Sequence, residues 1–430
     1  IFSFTFPDNE WVTHEWLSEV LMWGLYQLGR LPALMLFFAA VTLVTWWLAY
    51  RLCEGKPYIA GMVVAFAAKA SEVVWGSRPQ LFNLALFGVF IYMLERRKDR
   101  AVGPWIFWAF PAITLVWANL HSGYLLGIVV LGTYLVGEYV EGRRNRPDPR
   151  TLPADDVVRL GLATGAAFLA ALANPNGARL WVYPFETLGS SVQRDFIAEW
   201  FPPVPDQLVF WLTLLLLGAG VFGLLRAERR PTATELLVFG GTAVGAFLSV
   251  RNIPIFALAS APIIARYLNA ALPFDALRPD PADDPVNPVP TIAAAVVIAL
   301  GAIAIGVGTL RDNDAAIRGE FPVAAVDWIE ETGRDDSRIF NAYNYGGYLI
   351  WRGYPVYVDG RADVYGDEGL LQFGQTYFVE DGWEEPLDEE SIDLVIVEAD
   401  SALAFTLEEA PEWELVYADP QTHVFDRSPR

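Results

Sequence analysis

Charge and cysteine are both scarce in this chain, and each scarcity removes a class of protein. Only 19% of the 430 residues are charged while 54% are hydrophobic, and mean hydropathy is +0.31. A water-soluble globule of this size would keep far more apolar surface than it could hide, so the bilayer is the solvent this composition fits. The single cysteine, Cys53, excludes an internal disulfide and a cysteine-based zinc cluster, and compartment has to be read from topology. There is no P-loop, no G-x-G-x-x-G, no serine nucleophile elbow and no H-E-x-x-H, which removes support for nucleotide hydrolysis and for soluble-type protease chemistry. No repeat or low-complexity array stands out. Histidine is also rare, with three in all.

What is present sorts by position. Residues 1–310 hold 22 basic and 23 acidic residues, whereas residues 311–430 hold 28 acidic against 8 basic. The net charge of −21 therefore belongs to the tail, which should be well solvated and repelled by nucleic acid and anionic lipid. Ahead of it, apolar runs at 31–52, 58–75, 78–95, 104–120, 124–141, 158–174, 206–226, 233–249, 253–270 and 290–310 approach the length needed to cross ~30 Å of hydrocarbon. The 16 Trp and 17 Tyr suit residues that gather where hydrocarbon meets headgroups.

Basic clusters fall between alternate runs: Arg51 and Lys56, 95–100, 141–150, 226–230, and Arg266 with Arg278. Placing them all in the cytoplasm by the positive-inside rule puts residues 1–30, 75–78, 118–124, 174–205, 250–253 and everything after 310 on the opposite face. About ten crossings satisfy every loop. Segment 14–29 then cannot cross, and its apolar positions suit a helix lying at the outer interface. Three regions follow: an external loop and interfacial helix (1–30), a transmembrane helical domain (31–310) and an acidic extracytoplasmic α/β domain (311–430). The Pro- and Asp-rich stretch 273–290 reads as a linker. Because Ile1 opens in the middle of a polar loop, a preceding segment with at least one helix is expected.

In the tail the pattern predicts helices at 321–332, 345–351, 367–377 and 400–409. Strands are predicted near 337–341, 355–359 and 393–397, with a hairpin pairing 413–418 with 422–427. The result is a small α/β sandwich.

Polar groups at the ends of the apolar runs carry the candidate chemistry. Arg78 and Arg251 lie on the outer side, against the bias of the other basic clusters, and a guanidinium there suits phosphate; an ion pair with Glu72 or an outer-loop acid is the structural alternative. Lys69 and Glu72 are spaced i, i+3 to neutralise one another. His14 and His121 both fall on the outer rim, where an imidazole can donate to phosphate or act as a base, or simply cap a helix. Asp8, Glu10 and Glu15 are carboxylates able to deprotonate an acceptor hydroxyl or to orient a divalent cation, Mg or Mn, the one cofactor they suggest.

The stretches FSFTFPDNEWVTHEWLSEVL (2–21), RPQ (78–80), WANLHSGYLLG (117–127), NPNG (174–177), VRNIPIFALASAP (250–262) and NAYNYGGYLIW with VYVDGRADVY (341–365) resemble a family of bacterial multi-spanning proteins related to the GT-C-fold glycosyltransferases. That group is distantly similar to protein mannosyltransferases and oligosaccharyltransferases. The resemblance implies transfer of a sugar from a polyprenyl-phosphate carrier to an acceptor at the outer face of the cytoplasmic membrane, using an acid in the first external loop. In relatives an Asp commonly precedes the Phe-Ser-x-Thr element, which here would place it before Ile1. Asp8, Glu10, His14 and Glu15 are the catalytic candidates in this chain. Arg78, His121, Asn174 and Arg251 become candidates for substrate binding. In the tail, NAYNYGG resembles the W-W-D-Y-G motif of oligosaccharyltransferases at Tyr345 and Gly346 and lacks its Trp pair and Asp. Tyr345, Asp359 and Arg361 join the substrate-binding set, Asp359 and Arg361 having a turn-stabilising ion pair as alternative.

The expectation is a GT-C-like integral protein of the bacterial cytoplasmic membrane with a lipid-linked sugar donor and no nucleic-acid partner. The competing classes are a transporter or flippase for a lipid or anionic solute, and a non-catalytic membrane scaffold.

Overall fold

The computed structural model describes residues 2–7, 9, 11–196, 198–272 and 289–427. Asp8 and Glu10 lie outside the described residues, as does the 273–290 linker except for its last two positions. The chain is mostly helical with a small C-terminal sheet, and it divides into two units. One comprises Val12–Gly189 and Ile197–Asp283; the other comprises Ile1–Trp11, Ser190–Phe196 and Asp284–Arg430.

The first unit is a helical bundle. Its helices are α1 (Trp16–Leu52), α2 (Pro57–Ala70), α3 (Gln80–Lys98), α4 (Ile106–Leu120), α5 (Tyr124–Gly142), α6 (Ala154–Ala170) and α7 (Arg179–Gly189). After α8 (Ser191–Phe196), which belongs to the other unit, come α9 (Leu208–Arg226), α10 (Ala233–Leu248) and α11 (Ile253–Ala271). Helix α1 is broken at Gly29 and Arg30, whose backbone leaves the helical region, Arg30 with φ 57°. The predicted interfacial segment 14–29 and the predicted run 31–52 are thus separate helical stretches meeting at that break. Helix α11 forms the middle of the bundle, and every residue from Ile253 to Leu268 is buried. Around it the other helices turn apolar residues outward, among them Leu43, Trp47, Trp108, Val129, Leu162, Trp211 and Val244. Apolar area on this scale, displayed all round a bundle, needs a non-aqueous surrounding. Small residues allow close crossing: a Cβ at Gly137 of α5 would lie 2.6 Å from the Thr234 backbone at the start of α10.

The connections collect at two ends of this bundle. At one end Trp16, His121, Ala173, Asn176 and Thr13 are joined by hydrogen bonds or ion pairs to neighbours in the same set of loops, and the backbone N–H of Val250 donates to Phe201. At the other end Glu54, Glu95, Asp99, Glu138, Arg150, Arg229, Glu235 and Arg266 form a dense ionic cluster.

The expected count of about ten crossings is corrected. Among the described residues five helical stretches are long and apolar enough to cross a membrane: Trp16–Leu52, Pro57–Val74, Tyr124–Gly142, Leu208–Arg226 and Val250–Ala271. A sixth is added if α12 (Val289–Arg311) and α13 (Asn313–Glu320), bent by 54°, are taken as one. The remaining apolar runs do fold as helices. However, α4 and α10 have 15 and 16 residues, and at 1.5 Å per residue each falls short of ~30 Å. Helix α6 opens with Asp155, Asp156 and Arg159, and α3 closes with Glu95, Arg96, Arg97 and Lys98. The apolar runs predicted at 78–95 and 158–174 reach only the edge of these charged turns, and the helices themselves are too polar at one end to pass as spans.

The second unit is built on a four-stranded sheet of β1 (Ile339–Asn341), β2 (Leu394–Glu398), β3 (Trp413–Ala418) and β4 (Thr422–Arg427), ordered β1-β2-β4-β3. Strands β1 and β2 run parallel, and the other neighbours are antiparallel. Helices α14 (Val323–Glu331), α15 (Gly346–Arg352), α16 (Ala362–Tyr377), α17 (Glu385–Glu389) and α18 (Ala402–Glu409) pack around it. The strand expected at 355–359 is absent from the sheet. Asn341 takes the ladder's place: its amide donates to the Val358 carbonyl at 2.8 Å and accepts from the Tyr357 N–H at 3.0 Å. The far edge of that segment bonds the N-terminal residues instead, Val356 N–H to the Phe2 carbonyl at 2.9 Å and Phe4 N–H to the Val356 carbonyl at 3.3 Å.

Candidate functional site

The loop end of the bundle near the start of α1 brings Glu15, His14, His121 and Arg251 under one electrostatic influence. Several bonds fix it. The Trp16 indole N–H donates to Asn119 Oδ1 at 2.8 Å, Asn119 Nδ2 donates to the Leu115 and Ala173 carbonyls at 2.8 and 3.0 Å, and Ser18 Oγ donates to the Leu120 carbonyl at 2.6 Å. The entry of α1 is thereby tied to the exit of α4, and Glu15, immediately before α1, is held against His121, immediately after α4.

His121 is 3% exposed and its tautomer follows from its neighbours. The Gly123 backbone N–H donates to Nδ1 at 2.7 Å, so Nδ1 is an acceptor and the ring proton sits on Nε2. Nε2 lies 3.2 Å from Glu15 Oε1, an electrostatic contact whose geometry does not make a hydrogen bond. Gaining a second proton would cost the Gly123 bond and bury a charge, and burial pushes the imidazole down to about 3 despite the pull of Glu15. Gly123 is required here, because a Cβ would stand 2.2 Å from Asn83 Oδ1.

His14 has the opposite polarity. Its Nδ1 lies 3.2 Å from the Val12 carbonyl, which can only accept, so Nδ1 carries a proton. Its Nε2 is 3.6 Å from Glu15 Oε1. The ring stacks on Tyr183 with centroids 4.6 Å apart. Glu15 itself has a side chain 25% exposed. Burial alone would raise its carboxyl, but the His14 contact, the polarity of His121 and the positive charge of Arg251 more than offset this and leave it below the ordinary carboxylate value. A carboxylate thus sits beside two imidazoles, His121 Nε2 at 3.2 Å and His14 Nε2 at 3.6 Å, the first fixed in its Nε2-protonated form by the Gly123 bond.

The remaining residues singled out in the sequence have local partners. Arg78 pairs with Glu199 at 2.7 Å, an acid of the 174–205 stretch, and Gln80 donates to the same carboxylate at 3.3 Å. Lys69 pairs with Glu72. Asn174 folds onto its own turn, donating to the Ala171 and Gly177 carbonyls and accepting from the Asn176 N–H. In the second unit Asp359 is 3% exposed and saturated: Arg361 reaches it through Nε at 2.8 Å and Nη2 at 2.5 Å, its own N–H at 2.9 Å, and Tyr365 donates at 2.7 Å. Burial raises the Asp359 carboxyl, but the Arg361 and Tyr365 bonds outweigh it and hold the group below its usual value. Tyr345 is buried with its hydroxyl 3.3 Å from Thr422 Oγ1.

Asn119, Gly123, Tyr183 and Glu199 were not singled out in the sequence. Asn119 and Gly123 flank His121 in WANLHSG, where the signal was on the page; nothing in the sequence linked Tyr183 or Glu199 to residues more than a hundred positions away.

A hard divalent cation takes several oxygen ligands. Of the three carboxylates named for a cation, Asp8 and Glu10 lie outside the described residues; among the described residues no group of three or more His, Cys, Asp or Glu is disposed to hold a metal.

No protein-family model matches the chain, and no curated protein matches it either.

Proposed function

We propose that the chain is a GT-C-like membrane glycosyltransferase that moves a sugar from a polyprenyl-phosphate carrier to a hydroxyl acceptor, with Glu15 as general base. The observation that carries this reading is the Glu15 carboxylate, part-buried, held ionised and flanked by the His121 Nε2–H and by His14. The resemblance of its surrounding segment to the GT-C group supports the reaction class, and the apolar helices suit a donor with a lipid tail.

In the reaction the acceptor hydroxyl gives its proton to Glu15 while its oxygen bonds to the anomeric carbon. The bond from that carbon to the phosphate oxygen breaks, and the carrier phosphate leaves with the electron pair. His121 keeps the carboxylate oriented, and His14 Nε2 takes the proton onward. Arg251 supplies positive charge toward the departing phosphate. The site lies at the extracytoplasmic face in this reading, and the acidic second unit is on the same side.

The test is turnover by the purified protein in lipid nanodiscs with a panel of polyprenyl-phosphate hexoses and pentoses. Glu15→Gln, which keeps size and hydrogen bonding but cannot accept a proton, should lower turnover at least 100-fold, a general-base effect, while Glu15→Asp retains part of it. Wild-type turnover in Glu15→Gln would sink the assignment. Movement of intact labelled donor between leaflets with no bond made would replace it with a carrier function.

A further inference from the structure

Within the second unit, α13 and α15 enclose a cleft of about 250 Å³ lined by Asp314, Ile317, Arg318, Tyr348, Trp351 and Arg352 together with Val323. None of the chemistry proposed above uses it. Trp351 is 55% exposed, with a broad apolar ring presented to the cleft. Tyr348 meets it edge-on at 6.2 Å and is itself stacked on Phe321 at 5.6 Å, and Arg352 Nη1 donates to the Tyr348 hydroxyl at 2.8 Å. Asp314 and Arg318 are exposed and stand four residues apart on one face of α13.

We propose that this cleft binds a neutral carbohydrate, its ring stacked on the Trp351 indole and its hydroxyls bonded by Asp314 and Arg318. The electron-rich face of an indole attracts the weakly positive C–H face of a sugar ring. A carboxylate beside a guanidinium supplies acceptors and forked donors that match adjacent hydroxyls. The volume lies just below the ~300–1,000 Å³ of pockets for drug-sized ligands, room for a single ring and not for an extended chain.

Charge decides against an anionic occupant such as a lipid headgroup. Arg352 is already neutralised by Asp327 at 2.9 Å and Glu330 at 2.6 Å. Arg318 stands in a region of 120 residues from Arg311 onward with 28 acidic against 8 basic side chains, a field that repels anions. The proposal rests on the glycosyltransferase reading only in taking this carbohydrate to be the acceptor; binding itself does not depend on Glu15.

The experiment uses the full chain in nanodiscs of zwitterionic lipid, with cellobiose, maltose, chitobiose and mannobiose as probes, read by saturation-transfer NMR and tryptophan fluorescence. At least one probe should bind. Trp351→Ala should weaken it tenfold or more, Trp351→Phe should restore most of the loss with an unchanged melting temperature, and Asp314→Asn with Arg318→Gln should weaken it without altering the melt. Glu15→Gln should leave binding unchanged, which separates a failure here from a failure of the transferase reading. The proposal is overturned if no probe binds, if Trp351→Ala binds as well as wild type, or if glycerol phosphate displaces the sugar more effectively than a second sugar does.

Discussion

At the scale of single residues, His121 offers the sharpest test. Its imidazole is held neutral by burial, with the folded value near 3 against an ordinary 6.5. Between those values the unfolded chain binds more protons than the folded one, so stability rises with pH: the contribution is complete above about pH 6.5 and is lost as pH falls toward 3. Glu15, lowered in the folded state, acts in the same direction below its ordinary 4.5. The melting temperature should therefore drop between pH 7 and pH 5. His121→Gln, whose amide keeps a donor toward Glu15 but does not titrate, should flatten that drop while costing stability at pH 7. An unchanged slope would mean that His121 is not neutral in the folded protein. The pairing of Glu15 with His121 was only half legible: both residues stood out, but nothing in a linear sequence shows that positions 106 apart close on one another. Tyr345 and Asp359 illustrate the converse, being conspicuous in motifs while their polar atoms are bonded to Thr422, Arg361 and Tyr365.

At the scale of elements, the strands and helices of the tail were largely readable because alternating and 3.6-residue patterns are local. Strand β3 lies at the bounds predicted, and so do strands β2 and β4 within a residue. The segment at 355–359 looked equally strand-like, and only the distant Asn341 amide decides that it stays outside the sheet. At the ionic end of the bundle the sequence shows basic clusters of cytoplasmic bias but not the acids they meet. Arg266 on α11 in fact contacts Glu235 on α10, Glu95 on α3 at 3.4 Å and Glu54 at 2.9 Å. Lys98 pairs with Glu138 at 2.5 Å, and Glu138 also accepts from Thr234 and from the Leu152 N–H. Removing one buried partner strands the other, a loss of roughly 3–5 kcal/mol. Arg266→Met should therefore lower stability by about that amount in detergent denaturation, and adding Glu235→Met should recover part of it. A double variant as unstable as the sum of the two singles would show that the pair is not coupled.

At the scale of the whole molecule, the loops fall at two ends of the bundle, whereas among the described residues five helical stretches, or six with the bent pair, meet the length and polarity expected of a crossing. Length and connectivity make different demands on α3, α4, α6 and α10. If these four cross, thinned bilayer or polar helix ends must accommodate them; if they do not, the two loop groups cannot lie on opposite sides throughout. The lone cysteine makes the choice measurable. In a Cys53→Ser background, a cysteine at position 146, in the loop after α5, and one at position 176, before α7, should react with an impermeant maleimide from opposite sides of sealed vesicles. The α4 and α6 crossings then follow from position 103, which should label with 146. A cysteine at position 381 in the acidic unit should label with 176, since a chain that takes a lipid-borne donor and an external acceptor must present Glu15 and that unit to the same compartment. Labelling of 176 and 146 from one side would remove the membrane-spanning arrangement that the proposed chemistry needs, because the Glu15 carboxylate and the basic loops would then share one face of the bilayer.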